Sequence, residues 1–127
     1  MIEFQIELSD EPGELAGVAE AIAIGGANIL GAAAIGKAKP TVALVVDDEN
    51  ATKAALEKFG APYVMNELLL YSLEHRPGAL AEFTRKIADS GVNINSFYIM
   101  HMFESTAEIA FTVDNPTLIC EMFDISN

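Results

Sequence analysis

Two short motifs, each present twice, contain residue types that could bind a small charged ligand. Pro12-Gly13 recurs as Pro77-Gly78, and Asn28 recurs as Asn93, both at an offset of 65 residues. A glycine at a helix start exposes backbone N–H groups that lack partners within the helix, and the helix dipole favours an anion there. An asparagine amide both donates and accepts hydrogen bonds. These groups could bind the carboxylate and the ammonium of a zwitterion.

The same residues also have structural interpretations. The glycines could permit tight turns, and the asparagines could bond their own backbone. Asp10 could cap the first helix, and His75 could be an exposed loop residue. Gly26 and Gly91 are typical of positions where a helix ends.

The repeat extends over the chain and predicts two units, residues 1–66 and residues 67–127. In the first unit, period-2 alternation, helical spacing and turn residues predict the order β-α-β-β-α-β. Its predicted elements are a strand over 2–8, a helix from the Pro-Gly turn to Gly25-Gly26, strands over 29–35 and 41–46, a helix capped by 47–50 that ends near 59–60, and a strand over 63–66.

The second unit repeats this order but is expected to lack its fourth strand. Its predicted elements are strands over 68–73, 94–101 and 107–113, a helix over 78–90, and a helix from Pro116. Asn127 aligns with Gly60, which precedes the fourth strand of the first unit. A neighbouring strand would then have an open edge, which a partner chain or residues 63–66 could cover.

These elements predict an α+β fold made of two ferredoxin-like units, each with its helices on one face of an antiparallel sheet. The helical residues Leu15, Leu80, Phe83 and Ile87 are predicted to lie in the core.

Each unit resembles an ACT domain, the small ligand-binding module of aspartate kinases and phosphoglycerate dehydrogenases. The resemblance rests on an alternating first strand, then x-x-Pro-Gly-x-Leu-Ala opening a helix, then Gly-x-Asn-Ile beginning the second strand. It implies a non-catalytic protein that binds a small amino acid between units or subunits and regulates an enzyme or a transcription factor. The family often has an acidic residue two positions before the proline, which Asp10 matches and His75 does not.

The candidate ligand-binding residues are those of the two motifs in each unit. They are Asp10, Glu11, Pro12, Gly13, Glu14, Leu15, Asn28, Ile29, His75, Arg76, Pro77, Gly78, Ala79, Leu80, Asn93 and Ile94.

Composition excludes several classes of partner. The net charge of −12 argues against nucleic acids and anionic membranes, which require phosphate-neutralising Lys and Arg. The single cysteine, Cys120, excludes an internal disulfide and a multi-cysteine zinc site. Neither a membrane span nor a signal peptide is recognisable, so a cytoplasmic location is expected. No cofactor and no metal are expected.

Catalytic residues are not apparent. His75 and His101 lie in no known motif, and Cys120 is expected to be a buried, unreactive thiol. The acids at 47–49 suit a helix N-terminus, although they could bind a divalent cation. Arg76, in the turn before Pro77, leaves a small phosphatase as an alternative.

The first strands of the two units predict different outer faces. Glu3, Gln5 and Glu7 align with Leu68, Leu70 and Ser72, so the second unit has a more apolar sheet face. Such a face favours association, either of the two units or of two chains in a homodimer, which we expect. A ligand-free structural or protein-interaction module is the alternative function.

Overall fold

The computed structural model describes residues 1–126 and divides into two compact units. The N-terminal unit comprises residues 2–66, and the C-terminal unit begins at Glu67 and includes Met1. Asn127, which sequence alignment pairs with Gly60, lies outside the described residues.

The N-terminal unit has the predicted β-α-β-β-α-β order and an antiparallel core of strands. Its elements are β1 (Ile2–Glu7), α1 (Glu14–Ile24), β2 (Ile29–Ile35), β3 (Thr41–Val46), α2 (Glu49–Phe59) and β4 (Tyr63–Glu67). The strand order is β2-β3-β1-β4, so that β1 lies between two neighbours. Both β1 and β2 pair with β3 in antiparallel register.

The C-terminal unit repeats the order with one strand fewer among residues 67–126. Its elements are β5 (Leu69–Glu74), α3 (Ala79–Asp89), β6 (Ile94–Met102), β7 (Thr106–Val113) and α4 (Pro116–Phe123). The strand order is β5-β7-β6, and both pairings are antiparallel. The predicted α+β ferredoxin-like class is therefore confirmed.

Each unit has its own hydrophobic core between its sheet and its helices. Val18 and Ile22 of α1 are buried in the first core, and Phe83 and Ile87 of α3 are buried in the second. In each helix the two buried residues are four positions apart, which places them on one face of that helix.

The prediction that Leu15 and Leu80 lie in the core is wrong. Their side chains remain 45 % and 48 % exposed. The buried stripe of α3 runs through Ala79, Phe83 and Ile87. Each leucine is one position past the stripe of its helix, which turns it about 100° away from the core.

The second helix of each unit, α2 or α4, begins with the same kind of cap, but the two helices differ in length. Asp48 accepts a hydrogen bond from the Ala51 N–H, and Asn115 accepts one from the Leu118 N–H, so a side chain caps each start. The α2 helix has 11 residues and α4 has 8.

Asp124 is the structural counterpart of Gly60. Gly60 has a φ of 85° and its N–H bonds to the Leu56 carbonyl, while Asp124 has a φ of 53° and its N–H bonds to the Cys120 carbonyl. Asp124 therefore ends α4 as Gly60 ends α2, and α4 is about one turn shorter than α2.

The outer row of β5 is only partly exposed. Leu68 is buried, Leu70 is half-buried and Ser72 is exposed, so the two leucines contribute less exposed apolar surface than their alignment with Glu3 and Gln5 predicts.

Candidate functional site

The N-terminal Pro-Gly turn begins α1 with a left-handed glycine. Gly13 has a φ of 92° and occupies the position before the helix, where no side chain caps it. Its carbonyl accepts the first helical bond from the Gly17 N–H, at 2.9 Å. A residue with a Cβ is strained at this φ, so the turn requires glycine. The uncapped start leaves backbone N–H groups directed away from the helix.

Acidic side chains surround this turn. The Ser9 N–H donates to Glu14 Oε1 at 3.0 Å, and the Ser9 hydroxyl donates to the same oxygen. These hydrogen bonds lower the pKa of the Glu14 carboxyl, which is therefore ionised at neutral pH. Asp10 and Glu11 are exposed. The suggestion that Asp10 caps α1 is wrong, because no side chain bonds to this helix start.

The C-terminal turn has the same backbone. Gly78 has a φ of 89°, precedes α3 and is likewise not capped by a side chain. The Glu82 N–H donates to the Gly78 carbonyl at 2.9 Å, as Gly17 does to Gly13. The two turns are therefore geometrical repeats.

A guanidinium group distinguishes the C-terminal turn. Arg76 forms salt bridges with Glu74 at the end of β5 and with Glu82 on α3, the latter at 2.8 Å. Arg76 Nη1 also donates to the Pro77 carbonyl at 3.3 Å. Glu82 and Glu74 raise the pKa of Arg76 above its ordinary value, and Arg76 lowers the pKa of Glu82. The two carboxylates oppose the approach of a doubly charged phosphate, which weakens the phosphatase alternative.

His75 and Cys120 lie in structural surroundings. His75 is exposed, and its backbone N–H donates to the Ser105 carbonyl at 2.9 Å. Cys120 is half-buried at the edge of the second core. Burial, and to a smaller degree the charge of Glu67, raise the pKa of the Cys120 thiol, which makes it a poor nucleophile at neutral pH.

The two asparagines are held by aspartates that the motif analysis missed. The Asn28 N–H donates to Asp47 Oδ1 at 2.7 Å, and the Asp47 N–H donates to the Asn28 carbonyl at 3.1 Å. Asn93 and Asp114 form the same reciprocal pair at 3.1 and 3.2 Å. The sequence signal for this pairing is an aspartate directly after β3 and directly after β7.

Within one unit, the structure does not bring the asparagine and the Pro-Gly turn together. Glu7, which precedes the turn, pairs with Thr41 at the start of β3. Ile29, which follows Asn28, pairs with Val46 at the end of β3. The 11 residues of α1 separate the two motifs by about 16 Å. A site that combines both motifs between units stays a prediction.

The remaining candidate residues flank the turns or the cores. Ala79 is buried, Ile29 and Ile94 pack against their cores, and Leu15 and Leu80 are half-exposed beside the turns. Under the C-terminal turn, a cavity of about 110 Å³ is lined by Leu80, Phe97 and Ile109, among others. A depression of about 380 Å³ beside the N-terminal turn is lined by Glu7, Ser9, Glu14 and Val18, among others.

The acids at 47–49 have structural partners. Asp47 binds Asn28, and Asp48 caps α2. Among residues 1–126, no group of three or more His, Cys, Asp or Glu side chains is placed to hold a metal ion. Within the same range, no helix is both long and apolar enough to cross a membrane.

No protein-family model and no curated protein sequence matches the chain. Solved structures do match its fold. A protein from Bacteroides thetaiotaomicron is 19 % identical, with 98 % of this chain and 89 % of that one covered and a TM-score of 0.81. The ligand-free regulatory subunit of aspartate kinase from Thermus thermophilus is 18 % identical, with 87 % and 82 % covered and a TM-score of 0.67. The chain has an ACT fold.

A further structure of this fold is that of the aspartokinase alpha and beta subunits. It is 16 % identical, with 87 % of this chain and 81 % of that chain covered and a TM-score of 0.66. In the ACT fold of the present chain, each unit places its Pro-Gly turn where the first strand meets the first helix. The two ACT units therefore offer two turns of equal geometry and different charge.

Proposed function

We propose that this protein is a non-catalytic regulator that binds a small amino acid at a Pro-Gly turn and transmits its concentration to an enzyme or a transcription factor. The single observation that carries the proposal is the pair of uncapped helix starts at Gly13 and Gly78, both left-handed and both exposed. The likeness in fold to the regulatory subunit of aspartate kinase supports the regulatory role. We further propose a cytoplasmic homodimer.

The chemistry of a helix start suits the ligand. Its N–H groups can donate to a carboxylate, and its dipole favours the negative charge. A ligand of about ten heavy atoms at roughly −0.5 kcal/mol per atom would bind with a Kd of order 100 µM. Such an affinity suits the sensing of a metabolite pool.

Charge favours the C-terminal turn as the stronger site. At the N-terminal turn a carboxylate meets Asp10, Glu11 and the ionised Glu14. At the C-terminal turn Arg76 offsets one of the two negative charges of Glu74 and Glu82, and Glu74 is exposed. The adjacent cavity of about 110 Å³ can receive a small apolar side chain.

A thermal-shift screen of the twenty amino acids at millimolar concentration tests the proposal. Saturation at about 100 times Kd adds about 2.7 kcal/mol of stability. We expect a higher melting temperature with one or two amino acids, and we expect Gly78→Val to abolish the rise.

Gly60→Val is the matched control. Gly60 also has a positive φ, and no atom lies within 4 Å of an added Cβ, so this variant has comparable backbone strain away from the C-terminal turn. The rise must persist in Gly60→Val. If no amino acid raises the melting temperature of the wild-type chain, amino-acid binding is wrong, and the protein-interaction module becomes the better description.

A further inference from the structure

The first strands of the two units differ in their number of neighbours. In the N-terminal unit β1 lies between β3 and β4, whereas among residues 67–126 β5 has β7 as its single neighbouring strand. The edge of β5 that corresponds to the β4 side of β1 is therefore open along Leu69–Glu74.

The open edge presents the backbone groups of every second residue. The His75 N–H bonds to the Ser105 carbonyl, so it points toward the β7 side. Backbone direction alternates along a strand, and the N–H and carbonyl groups of Leu70, Ser72 and Glu74 therefore point away from β7. The Leu68 N–H, next in this series, bonds on that side to the Met1 carbonyl at 2.9 Å.

This edge lacks the features that usually prevent strand pairing. The registers of β2 and β6 with their neighbours contain irregularities. By contrast, β5 pairs with β7 over six consecutive residues without a shift. Residues Leu69–Leu73 contain no charge and no proline. Flat, uncharged edges of this kind bind extended segments.

The N-terminal unit shows what fills the equivalent position. Tyr63, the first residue of β4, packs against Phe4 of β1 with ring centroids 5.7 Å apart. Its hydroxyl donates to Glu57 Oε1 of α2 at 3.0 Å. Asn66 of β4 donates to Glu3 of β1 at 3.3 Å.

The C-terminal unit retains one of these three contacts, the acid of the second helix, while Leu68 and Leu69 replace Glu3 and Phe4. Glu57 precedes Gly60 by three residues, and Glu121 precedes the equivalent Asp124 by three. Beside the open edge, a depression of about 300 Å³ has both aromatic and charged walls. They include Tyr71, Phe83, Phe123, Glu74, Arg76, Glu82 and Lys86. An extended segment with both polar and apolar side chains could occupy this depression.

We propose that the open edge of β5 binds an extended segment of a partner protein by strand addition. The first residue of this segment is aromatic and carries a hydroxyl that donates a hydrogen bond to Glu121. The net charge of −12, together with Glu74 at the end of β5 and Glu121 at the position equivalent to Glu57, favours an uncharged or basic segment. At this edge the same charge disfavours a second copy of this chain, so the homodimer proposed above would pair through another surface. This inference does not depend on amino-acid binding.

A labelled peptide with the sequence of residues 61–66 followed by a lysine amide is the probe. In a fluorescence anisotropy titration with the full chain, we expect saturable binding with a Kd of order 100 µM or tighter. We expect a peptide with Phe in place of its Tyr to bind about tenfold more weakly, because it cannot donate to Glu121.

Two variants at one position locate the binding edge. Ser72→Pro removes an N–H that points away from β7, so edge binding should weaken at least about tenfold while the β5–β7 pairing is retained. Ser72→Thr keeps the N–H and should bind as the wild type does. If Ser72→Pro does not fold, peptides N-methylated at alternate residues provide the same test, because methylation at the residues that face β5 must abolish binding.

Three outcomes would overturn the proposal. The first is the absence of saturable binding to the folded chain, and the second is equal binding by Ser72→Pro. The third is a dimer in sedimentation that Ser72→Pro converts to a monomer, since the edge would then bind a second copy.

Discussion

The turn at Pro12-Gly13 and the turn at Pro77-Gly78 have nearly the same backbone, yet their neighbouring side chains differ. Their glycines have φ values of 92° and 89°. Acids alone flank the first turn, whereas Arg76 lies between Glu74 and Glu82 at the second. The Pro-Gly dipeptide determines the backbone conformation of these turns. The flanking residues determine the charge, and they can differ without changing that conformation. Two sites of one geometry can therefore differ in affinity.

The largest expected difference between the units concerns their cores. Phe83 contacts the rings of Tyr71, Phe111 and Phe123 at centroid distances of 5.2, 5.2 and 4.9 Å. Phe83→Ala should lower the free energy of unfolding by about 3–5 kcal/mol, because it leaves a large cavity. The equivalent Val18→Ala should cost about 2 kcal/mol. Urea denaturation measures the free energy of unfolding of both variants. Equal losses would contradict the idea that the aromatic core is the main difference between the units.

The aspartate–asparagine pairs should show no difference between the units. Asp47→Ala and Asp114→Ala each remove a bond to an asparagine N–H, so each should cost about 1–2 kcal/mol in urea denaturation. Glu49→Ala, at an exposed position beside Asp47, is the control and should cost less. A large cost at one site alone would show that the two pairs are not equivalent.

Substitutions at the C-terminal ends of α2 and α4 should change the stability of the chain in opposite directions. Gly60→Ala places a Cβ at a φ of 85° and should destabilise the chain by about 1 kcal/mol. Asp124→Gly relieves the left-handed strain at a φ of 53° and should stabilise it by up to about 1 kcal/mol. Melting temperatures measure both changes. The comparison fails if Asp124→Gly lowers the melting temperature.

The smallest expected effect is a change in titration. Arg76 lowers the pKa of Glu82, so this ion pair contributes stability above the ordinary carboxyl pKa, and the contribution is lost as the pH falls through the lowered pKa. Arg76→Met should raise the pKa of Glu82 in an NMR titration. The pKa of Glu14 should not move, since Ser9 lowers it. An unchanged Glu82 would show that the salt bridge does not persist in solution.

Much of the fold follows from the sequence because local signals repeat. The Pro-Gly turns and the alternating strands occur twice in register, so the order of elements could be predicted. The exposure of Leu15 and Leu80 could not, since helical spacing alone does not identify which of two adjacent positions faces the sheet. The end of α4 could not be predicted either, because Asp124 takes a conformation that is normally signalled by glycine.

The candidate site was predictable to the extent that it is local. The glycines and the uncapped helix starts follow from the dipeptides themselves. The contacts of Asp47 with Asn28 join residues 19 apart, and those of Asp114 with Asn93 join residues 21 apart. The carboxylates that hold Arg76 depend on how β5 approaches α3. Pairings of this kind depend on tertiary structure, which a motif does not encode.

Because Gly13 and Gly78 have left-handed backbone conformations, the protein should tolerate D-amino acids at these two positions. Gly13 and Gly78 have ψ values of −3° and −16° beside their positive φ values, which is the mirror image of a conformation that ordinary L-residues adopt. In a chain made by chemical synthesis, D-alanine at either position should therefore raise the melting temperature, since it restricts the unfolded chain without straining the turn. L-alanine at the same positions should lower it.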